Sequence, residues 1–420
     1  METPWLEILK MLVITTVGVF LQPLFWVILA IVAYQYRQMQ KNQQAMFGLP
    51  GTPLGSQVMW AMIYGMIGGL MGSLVLTLVG VNIERMGFQY IWPLAIGLAL
   101  INMRFLCFAY AGGIVAIASA LTGWPADVDV PQVLALVGAL HVTESVLIAI
   151  SGRYGSVPVI LKQDDRLVGA FNLQNFWPLP LVVLGTVAMK TAALPEGVFH
   201  TPDWWPLLPL GIEPPAGFEW VYVMMPVVAA LGYTDMAISS TPQERRRRSA
   251  LSLALYSLSL LGMALLAAKF AWLKLPAALL SPLGHEFLVR RDNKVEMAGI
   301  PRYVPPERGV MVLEAIEGGM ARKLGVRTGD IILGISGLPM SRGSELSYAI
   351  EWAPPLFEIL LQREGREMKL DGRFPPGPRR LGIILVPEGH ETYYMSLQSG
   401  SDGPLAKLFQ RMIRFFRREK

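Results

Sequence analysis

Long apolar stretches with almost no charged side chains recur from about residue 8 to residue 287. Of the 420 residues, 53% are hydrophobic and 16% are charged, whereas a soluble domain carries roughly 25% charged residues. A helix needs about 20 apolar residues to cross the hydrocarbon core of a bilayer, and fewer where a short leg is buried among its neighbours. The pattern therefore excludes a water-soluble protein and predicts a polytopic α-helical membrane bundle.

The apolar stretches predict about eight to ten helices within residues 1–288, some of them short or re-entrant. They are 22–38, 58–82, 90–103, 105–122, 133–151, 177–193, 219–239, 249–267 and 270–287, with 8–20 as a further leg before Pro23. After residue 288 the sequence changes to glycine turns and frequent charges, which are typical of a soluble domain. This domain is predicted over 289–390, and a polar linker and tail over 391–420.

The positions of Lys and Arg predict which loops face the cytoplasm, because cytoplasmic loops collect these residues. The run Arg245 to Arg248 is the strongest marker. The loop 194–218 lacks Lys and Arg and is predicted to be external, whereas 153–175, which contains a predicted β-hairpin, is internal. A helical hairpin over 249–287 would keep the C-terminal domain cytoplasmic. This orientation requires two short helices across 90–122, since one tilted helix there would invert everything upstream.

The C-terminal domain carries a specific motif, Thr328-Gly-Asp-Ile-Ile-Leu-Gly-Ile-Ser-Gly-Leu-Pro-Met340. A predicted helix over 344–350 and predicted strands over 357–363 and 368–370 follow it. This run resembles the PDZ domains of bacterial HtrA-type proteins, with an unrelated small β-rich domain as the alternative. The resemblance implies a small α+β domain that holds an extended peptide as an added strand and captures its carboxylate with backbone N–H groups.

The predicted carboxylate loop is apolar-Gly-apolar and follows the other strands, so the PDZ order would be circularly permuted. Leu381, Gly382 and Ile383 form the floor of the predicted groove. Leu346 and Ile350 on the helix form its wall, and Arg380 attracts the carboxylate end of the peptide. Two alternatives stay open. Met297-Ala-Gly-Ile300 could supply the loop, or 381–386 could be an edge strand without a ligand.

Few polar residues occur in the apolar region. His141 and Glu144 lie three positions apart and share a helix face, and ionisable groups inside a membrane are usually buried and paired. They could form a proton or ion relay, although a hydrogen-bonded clasp between helices is favoured. Arg104 is a candidate partner for Glu144. The spacing of Gly65, Gly68, Gly69 and Gly72 indicates close helix packing.

No catalytic residue, metal site or cofactor is predicted. His285-Glu286 lacks the second histidine of the His-Glu-x-x-His zinc-protease motif, and no Gly-x-Ser-x-Gly sequence indicates acyl transfer. Cys107 is the single cysteine, and the four histidines lie far apart in the sequence. The chain is therefore predicted not to be an enzyme.

The final segment, 405–420, places apolar and aromatic residues on one helical face and basic residues around the other. The basic residues are Lys407, Arg411, Arg414, Arg417 and Arg418. This pattern predicts a short amphipathic helix that binds anionic lipids at the membrane surface. A solvated or disordered end is the alternative.

A multi-span region without catalytic groups, followed by a PDZ-like domain and a basic tail, resembles the MinJ family of division-site adaptors in Gram-positive rod-shaped bacteria. The segments that carry the resemblance are Gln22-Pro23-Leu24-Phe25, His141-x-x-Glu144, Val168-Gly-Ala-Phe-Asn-Leu-Gln-Asn-Phe-Trp-Pro178 and the terminal domain. It implies a scaffold of the Min system in the bacterial cell membrane, at septa or poles, that bridges DivIVA-like and MinD-like proteins. No nucleic-acid partner is predicted, and a homo-oligomer is left open. The alternatives are a PDZ-regulated transporter or sensor and a regulatory subunit of a membrane protease.

Overall fold

The computed structural model describes residues 4–48, 52–152, 154–191 and 204–396. Eight α-helices in these ranges correspond to predicted apolar stretches: α1 (Pro4–Val19), α2 (Pro23–Phe47), α3 (Leu54–Val79), α4 (Phe88–Ile101), α5 (Phe108–Thr122), α6 (Val130–Ile150), α7 (Pro242–Lys269) and α8 (Lys274–Ala298). Of these, α3, α6 and α7 are long and apolar enough to cross a membrane, and α1 with α2, bent by 70°, would be a fourth span if the pair is one broken helix.

The predicted helices over 177–193 and 219–239 are wrong, because both stretches lie in β-strands. Three strands form an antiparallel meander between α6 and α7: β1 (Ser156–Gln163), β2 (Arg166–Lys190) and β3 (Phe218–Ala237). The predicted hairpin over 157–171 is confirmed, and β2 continues well beyond it. Pro178, Pro180 and Pro226 are unfavourable in a helix interior, because a proline there removes a hydrogen bond and clashes with the preceding turn. Mean hydropathy does not distinguish a buried strand from a buried helix.

Strand β2 packs directly on the glycine-lined face of α3. A Cβ atom at Gly65 would collide with the carbonyl oxygen of Pro178, and one at Gly69 would lie 2.5 Å from the carbonyl oxygen of Pro180. The hydroxyl of Ser73 on the same helix accepts a hydrogen bond from the amide of Val182 at 2.8 Å. The small residues therefore serve close packing, as predicted, and their main neighbour is a strand.

The C-terminal part folds into a small α+β domain, and its segments are β4 (Val310–Ala315), α9 (Met320–Lys323), β5 (Ile331–Ile335), β6 (Leu338–Pro339), α10 (Gly343–Trp352), β7 (Leu356–Arg363), β8 (Arg366–Arg373) and β9 (Ile383–Leu385). The antiparallel sheet has the order β8-β7-β5-β4-β9, and β6 pairs with β5. Helix α8 passes the expected boundary at residue 288. The predicted linker contributes a last strand, β10 (Met395–Ser396), which pairs in parallel with β1.

The Gly-Asp pair of the sequence motif has a structural role in this domain. The carboxylate of Asp330 is buried and accepts two hydrogen bonds from the guanidinium of Arg363, at 2.8 and 2.7 Å. The amide of Arg327 donates a third, at 2.8 Å. These bonds tie β7 to the turn before β5.

The end of α8 is joined to the start of α7 through one carboxylate. Glu296 is 2% exposed, and its Oε1 atom accepts hydrogen bonds from the amides of Ile238, Ser239 and Ser240 at 2.8 to 2.9 Å. Its Oε2 atom accepts the Ser240 hydroxyl hydrogen and lies 3.5 Å from the guanidinium of Arg248. Glu296 thus fixes the segment that leads from the β3 hairpin into α7.

Replacing Glu296 with glutamine should lower the free energy of unfolding by about 2 kcal/mol at pH 7, because hydrogen bonds to a charged acceptor are replaced by weaker ones. Burial alone would raise the pKa of Glu296, but the hydrogen bonds from Ser240 and the three amides outweigh it and lower the pKa below its ordinary value. The stabilisation is therefore present above about pH 4.3 and lost as the pH falls through the folded-state pKa.

Thermal unfolding of both proteins across pH 3 to 7 measures this difference. The two unfolding temperatures should converge at the acid end, and a gap that stays constant would contradict the assignment. Glu367→Gln, on the exposed face of β8, is the matched control and should behave as wild type throughout.

Candidate functional site

The small domain has an open strand edge beside a helix, which we name the β9–α10 groove. Among the described residues, β9 pairs with β4 alone and ends the sheet. The carbonyl of Gly382 accepts from the amide of Ile316, and the amide of Val386 donates to Met311. Because backbone groups alternate in direction along a strand, those of Ile383 and Leu385 point to the open edge.

One end of this groove is a tight backbone turn. Gly382 has φ +70°, a conformation that residues with a side chain rarely adopt. An added Cβ atom would also lie 3.1 Å from the Cα of Gly319. The carbonyl of Leu381 accepts from the amide of Ala321 at 2.8 Å. The positive φ and the contact with Gly319 therefore explain why a glycine occupies position 382.

The predicted groove residues lie together but at different depths. Ile383 and Ile350 are half-buried and flank the domain core, whereas Leu346 and Leu381 are buried within it. Leu381 is only 1% exposed, so its side chain belongs to the domain core and does not line the surface of the groove. Arg380 is exposed at the turn.

The other end of the groove opens into a pocket of about 470 Å³. It lies where β9 ends and α10 begins, and its lining includes Arg342, Ser344, Leu385, Glu388 and His390. Glu388 accepts a hydrogen bond from the amide of Gly343. An extended segment anchored at Gly382 would run along β9 into this pocket.

The alternative loop, Met297 to Ile300, is wrong. Met297 and Ala298 belong to the last turn of α8, and Gly299 packs against the side chain of Ser239. Ile300 is 87% exposed. These residues join α8 to the small domain and contribute to no strand edge.

The polar residues predicted for the membrane part are not all neighbours. Arg104 forms an ion pair with Glu286 of α8, and Glu286 also accepts from the Tyr110 hydroxyl at 2.7 Å. The suggested pairing of Arg104 with Glu144 is therefore wrong. His141 is 3% exposed in α6. The predicted lipid-binding residues of the tail, beyond residue 404, lie outside the described residues.

The fold brings together a group of residues that the sequence analysis treated as unrelated. Cys107 is the N-cap residue of α5, His141 lies in α6 and His285 lies in α8. Ligand atoms of all three lie within 4.8 Å of one another. His141 and His285 lie 34 and 178 residues from Cys107 in the sequence, so the sequence does not indicate that the three residues are neighbours. No spacing motif indicates it, because the packing of three different helices creates it.

The four arginines from Arg245 to Arg248 lie in the first turns of α7 and not in a charged loop. Arg245 and Arg246 are buried. Arg245 pairs with Asp235 at 2.7 Å, and Arg246 donates to the Ser151 hydroxyl and the Tyr154 carbonyl at 2.8 and 2.6 Å. They join α7 to β3 and to the end of α6.

Fold and groove together define a class: a helical protein with helices able to cross a membrane, which carries a small antiparallel α+β domain with an open strand edge. No protein-family model matches the chain. The chain is similar to the cell division topological determinant MinJ of Bacillus subtilis (strain 168), with 23% identity over 267 residues. The match covers 62% of this chain and 63% of that protein, so it spans less than two thirds of its relative.

Proposed function

We propose that the chain is a non-catalytic membrane scaffold in division-site selection, and that its small domain is a PDZ domain that binds partner proteins. The observation that carries the proposal is the β9–α10 groove, a strand edge that no other described strand pairs with and that ends at the Gly382 turn beside an apolar helix face. An added strand would gain main-chain hydrogen bonds from the edge, and side-chain pockets would give it specificity.

The arrangement of charge supports a cytoplasmic position for this groove. Strands β2 and β3 run from Phe171 and Ala237 at one end of the hairpin to Lys190 and Phe218 at the other. The small domain contacts the end of the hairpin near Phe171 and Ala237, where the amide of Gly169 donates a hydrogen bond to the carbonyl oxygen of Tyr303 at 2.8 Å. The Arg245 to Arg248 run lies at the same end, and cytoplasmic ends collect basic residues.

The partners proposed from the resemblance are a DivIVA-like and a MinD-like protein, and anionic lipids at the basic tail. A fluorescent fusion of the full chain in a rod-shaped Gram-positive host tests the role in division. We expect its fluorescence at septa and poles, and uniform fluorescence along the membrane would contradict the proposal.

Replacing Arg380 with glutamate should weaken binding of a C-terminal peptide about tenfold, because an attractive charge next to the peptide carboxylate becomes a repulsive one. The probe is a fluorescent decapeptide with an apolar last residue and a free carboxylate, selected against the purified full chain. Its binding is measured by fluorescence anisotropy.

Two controls separate the groove from general charge effects. Arg366→Glu, at the opposite edge of the sheet on β8, should bind as wild type, and the amidated peptide should bind at least about tenfold more weakly than the free acid. Equal binding of acid and amide, or equal weakening by both substitutions, would show that the groove does not capture a carboxylate.

A further inference from the structure

The side chains of Cys107, His141 and His285 form a compact group of metal-binding type between three helices. The Sγ atom of Cys107 lies 3.1 Å from Nε2 of His141 and 3.8 Å from Nε2 of His285. Zinc bonds of about 2.3 Å to sulfur and 2.0 to 2.1 Å to nitrogen, at tetrahedral angles, place these atoms about 3.6 Å apart. The two observed distances bracket that value.

The orientation of His141 suits a ligand. Its Nδ1 atom lies 2.7 Å from the carbonyl oxygen of Val137, an acceptor, so Nδ1 carries the proton and the lone pair is on Nε2, towards Cys107. A hydrogen bond from the second ring nitrogen is what orients histidines in metal sites. In His285, Nδ1 is buried without a hydrogen-bond partner among the described residues.

Aromatic rings enclose the group and fix its geometry. The ring of Tyr256 stands edge-on to both histidines at 5.8 Å, and that of Tyr110 stands edge-on to His285 at 5.2 Å. The hydroxyl of Tyr256 donates to the carbonyl of Ser281 at 2.7 Å. This shell limits solvent access, which strengthens binding of an ion by a thiolate.

We infer that Cys107, His141 and His285 bind one thiophilic transition-metal ion, Zn²⁺ or Cu⁺. A thiolate and two imidazoles are ligands that both ions accept, and Mg²⁺ or Ca²⁺ would require oxygen ligands. Binding releases the thiol proton of Cys107 to solvent and forms one metal–sulfur and two metal–nitrogen bonds. Glu286 is engaged with Arg104 and Tyr110, and among the described residues no fourth Cys, His, Asp or Glu joins the group. The fourth position on a zinc ion would therefore be taken by a ligand from outside this group.

The ion would join α5, α6 and α8, which approach one another at this point. A ligand that binds only the folded protein stabilises it, so loading should raise the unfolding temperature. This inference does not depend on the proposed scaffold function, because metal content and spectra are measured without a partner protein.

The experiment uses tag-free full-length protein in detergent, stripped with a chelator, loaded with Zn²⁺ or anaerobically with Cu⁺, and dialysed. Mass spectrometry of the metal should give about one ion per chain. Cys107→Ser and His285→Ala should retain less than about a tenth of it. His390→Ala, in the small domain, should load like wild type. The metal that is retained identifies which of the two ions the site prefers.

Cobalt loading gives a readout that reports the metal–sulfur bond itself. The wild type should show a thiolate-to-cobalt charge-transfer band, which Cys107→Ser should lack even if it folds and binds metal elsewhere. Wild-type protein that retains neither Zn²⁺ nor Cu⁺, or equal loading of wild type and both variants, would overturn the inference.

Discussion

Replacing Gly65 with alanine should lower the free energy of unfolding by about 3 kcal/mol, or prevent folding, although it adds a single methyl group. Gly65 faces the backbone of Pro178, and an added Cβ atom would collide with a carbonyl oxygen of β2. A backbone atom inside a paired strand cannot rotate away as a side chain can, so α3 and β2 would have to separate. Forced insertions into a packed core typically cost 1 to 3 kcal/mol, and about 3 is expected here.

Gly262→Ala in α7 is the matched control, because it lies in a helix of similar length and an added Cβ atom there meets nothing within 4 Å. It should leave stability unchanged or raise it slightly, since alanine favours a helix over glycine by about 1 kcal/mol. Unfolding in mixed detergent micelles compares the two. Equal stability of both variants would show that α3 does not pack on β2 as described.

Replacing Asp235 with asparagine should destabilise the protein by about 3 to 5 kcal/mol, because it leaves a buried arginine without its counter-charge. The side chain of Arg245 is 1% exposed and pairs with Asp235 at 2.7 Å. Asp235 also accepts hydrogen bonds from the hydroxyls of Ser249 and Tyr233, at 2.8 and 3.0 Å. An asparagine could keep only part of this network.

The same chemical change at the surface is the control. Asp165 is fully exposed and lies 3.7 Å from Lys162, so Asp165→Asn should cost no more than about 0.5 kcal/mol. Adding Arg245→Met to Asp235→Asn should recover part of the loss, because the buried guanidinium that lost its counter-charge is then absent. If the double variant is as unstable as the sum of the single ones, the two residues are not coupled.

The helices were largely predictable because each apolar stretch is long and bounded by turn residues. The same argument failed for 177–193, where the buried strand β2 has no polar alternation along its length. It also failed for 219–239, where β3 is apolar although most of its residues are half-buried or exposed. In β2 the residues from Trp177 to Thr186 are all buried. The prolines in these stretches were the available signal, since they are unfavourable in a helix interior.

The two candidate sites differ in how much of each was predictable. The position of the Gly382 loop near the helix with Leu346 was predictable, because both lie within one small domain whose local pattern specifies the order of its elements. The buried position of Leu381 was not predictable, since a backbone turn can direct the same side chain either into the groove or into the core. The group around Cys107 was unpredictable, because each residue comes from a different helix.

The sequence by itself determined that one part of the chain is suited to a membrane and another to water, and that the first contains apolar helices and the second is an α+β domain. It could do so because hydrophobic periodicity and turn residues act over short distances. Only the tertiary structure decided that α3 receives a strand through Gly65 and Gly69, that Arg245 is buried against Asp235, and that a cysteine meets two histidines. Each of those contacts depends on the relative position of distant segments, and one sequence contains no measure of the distance between them.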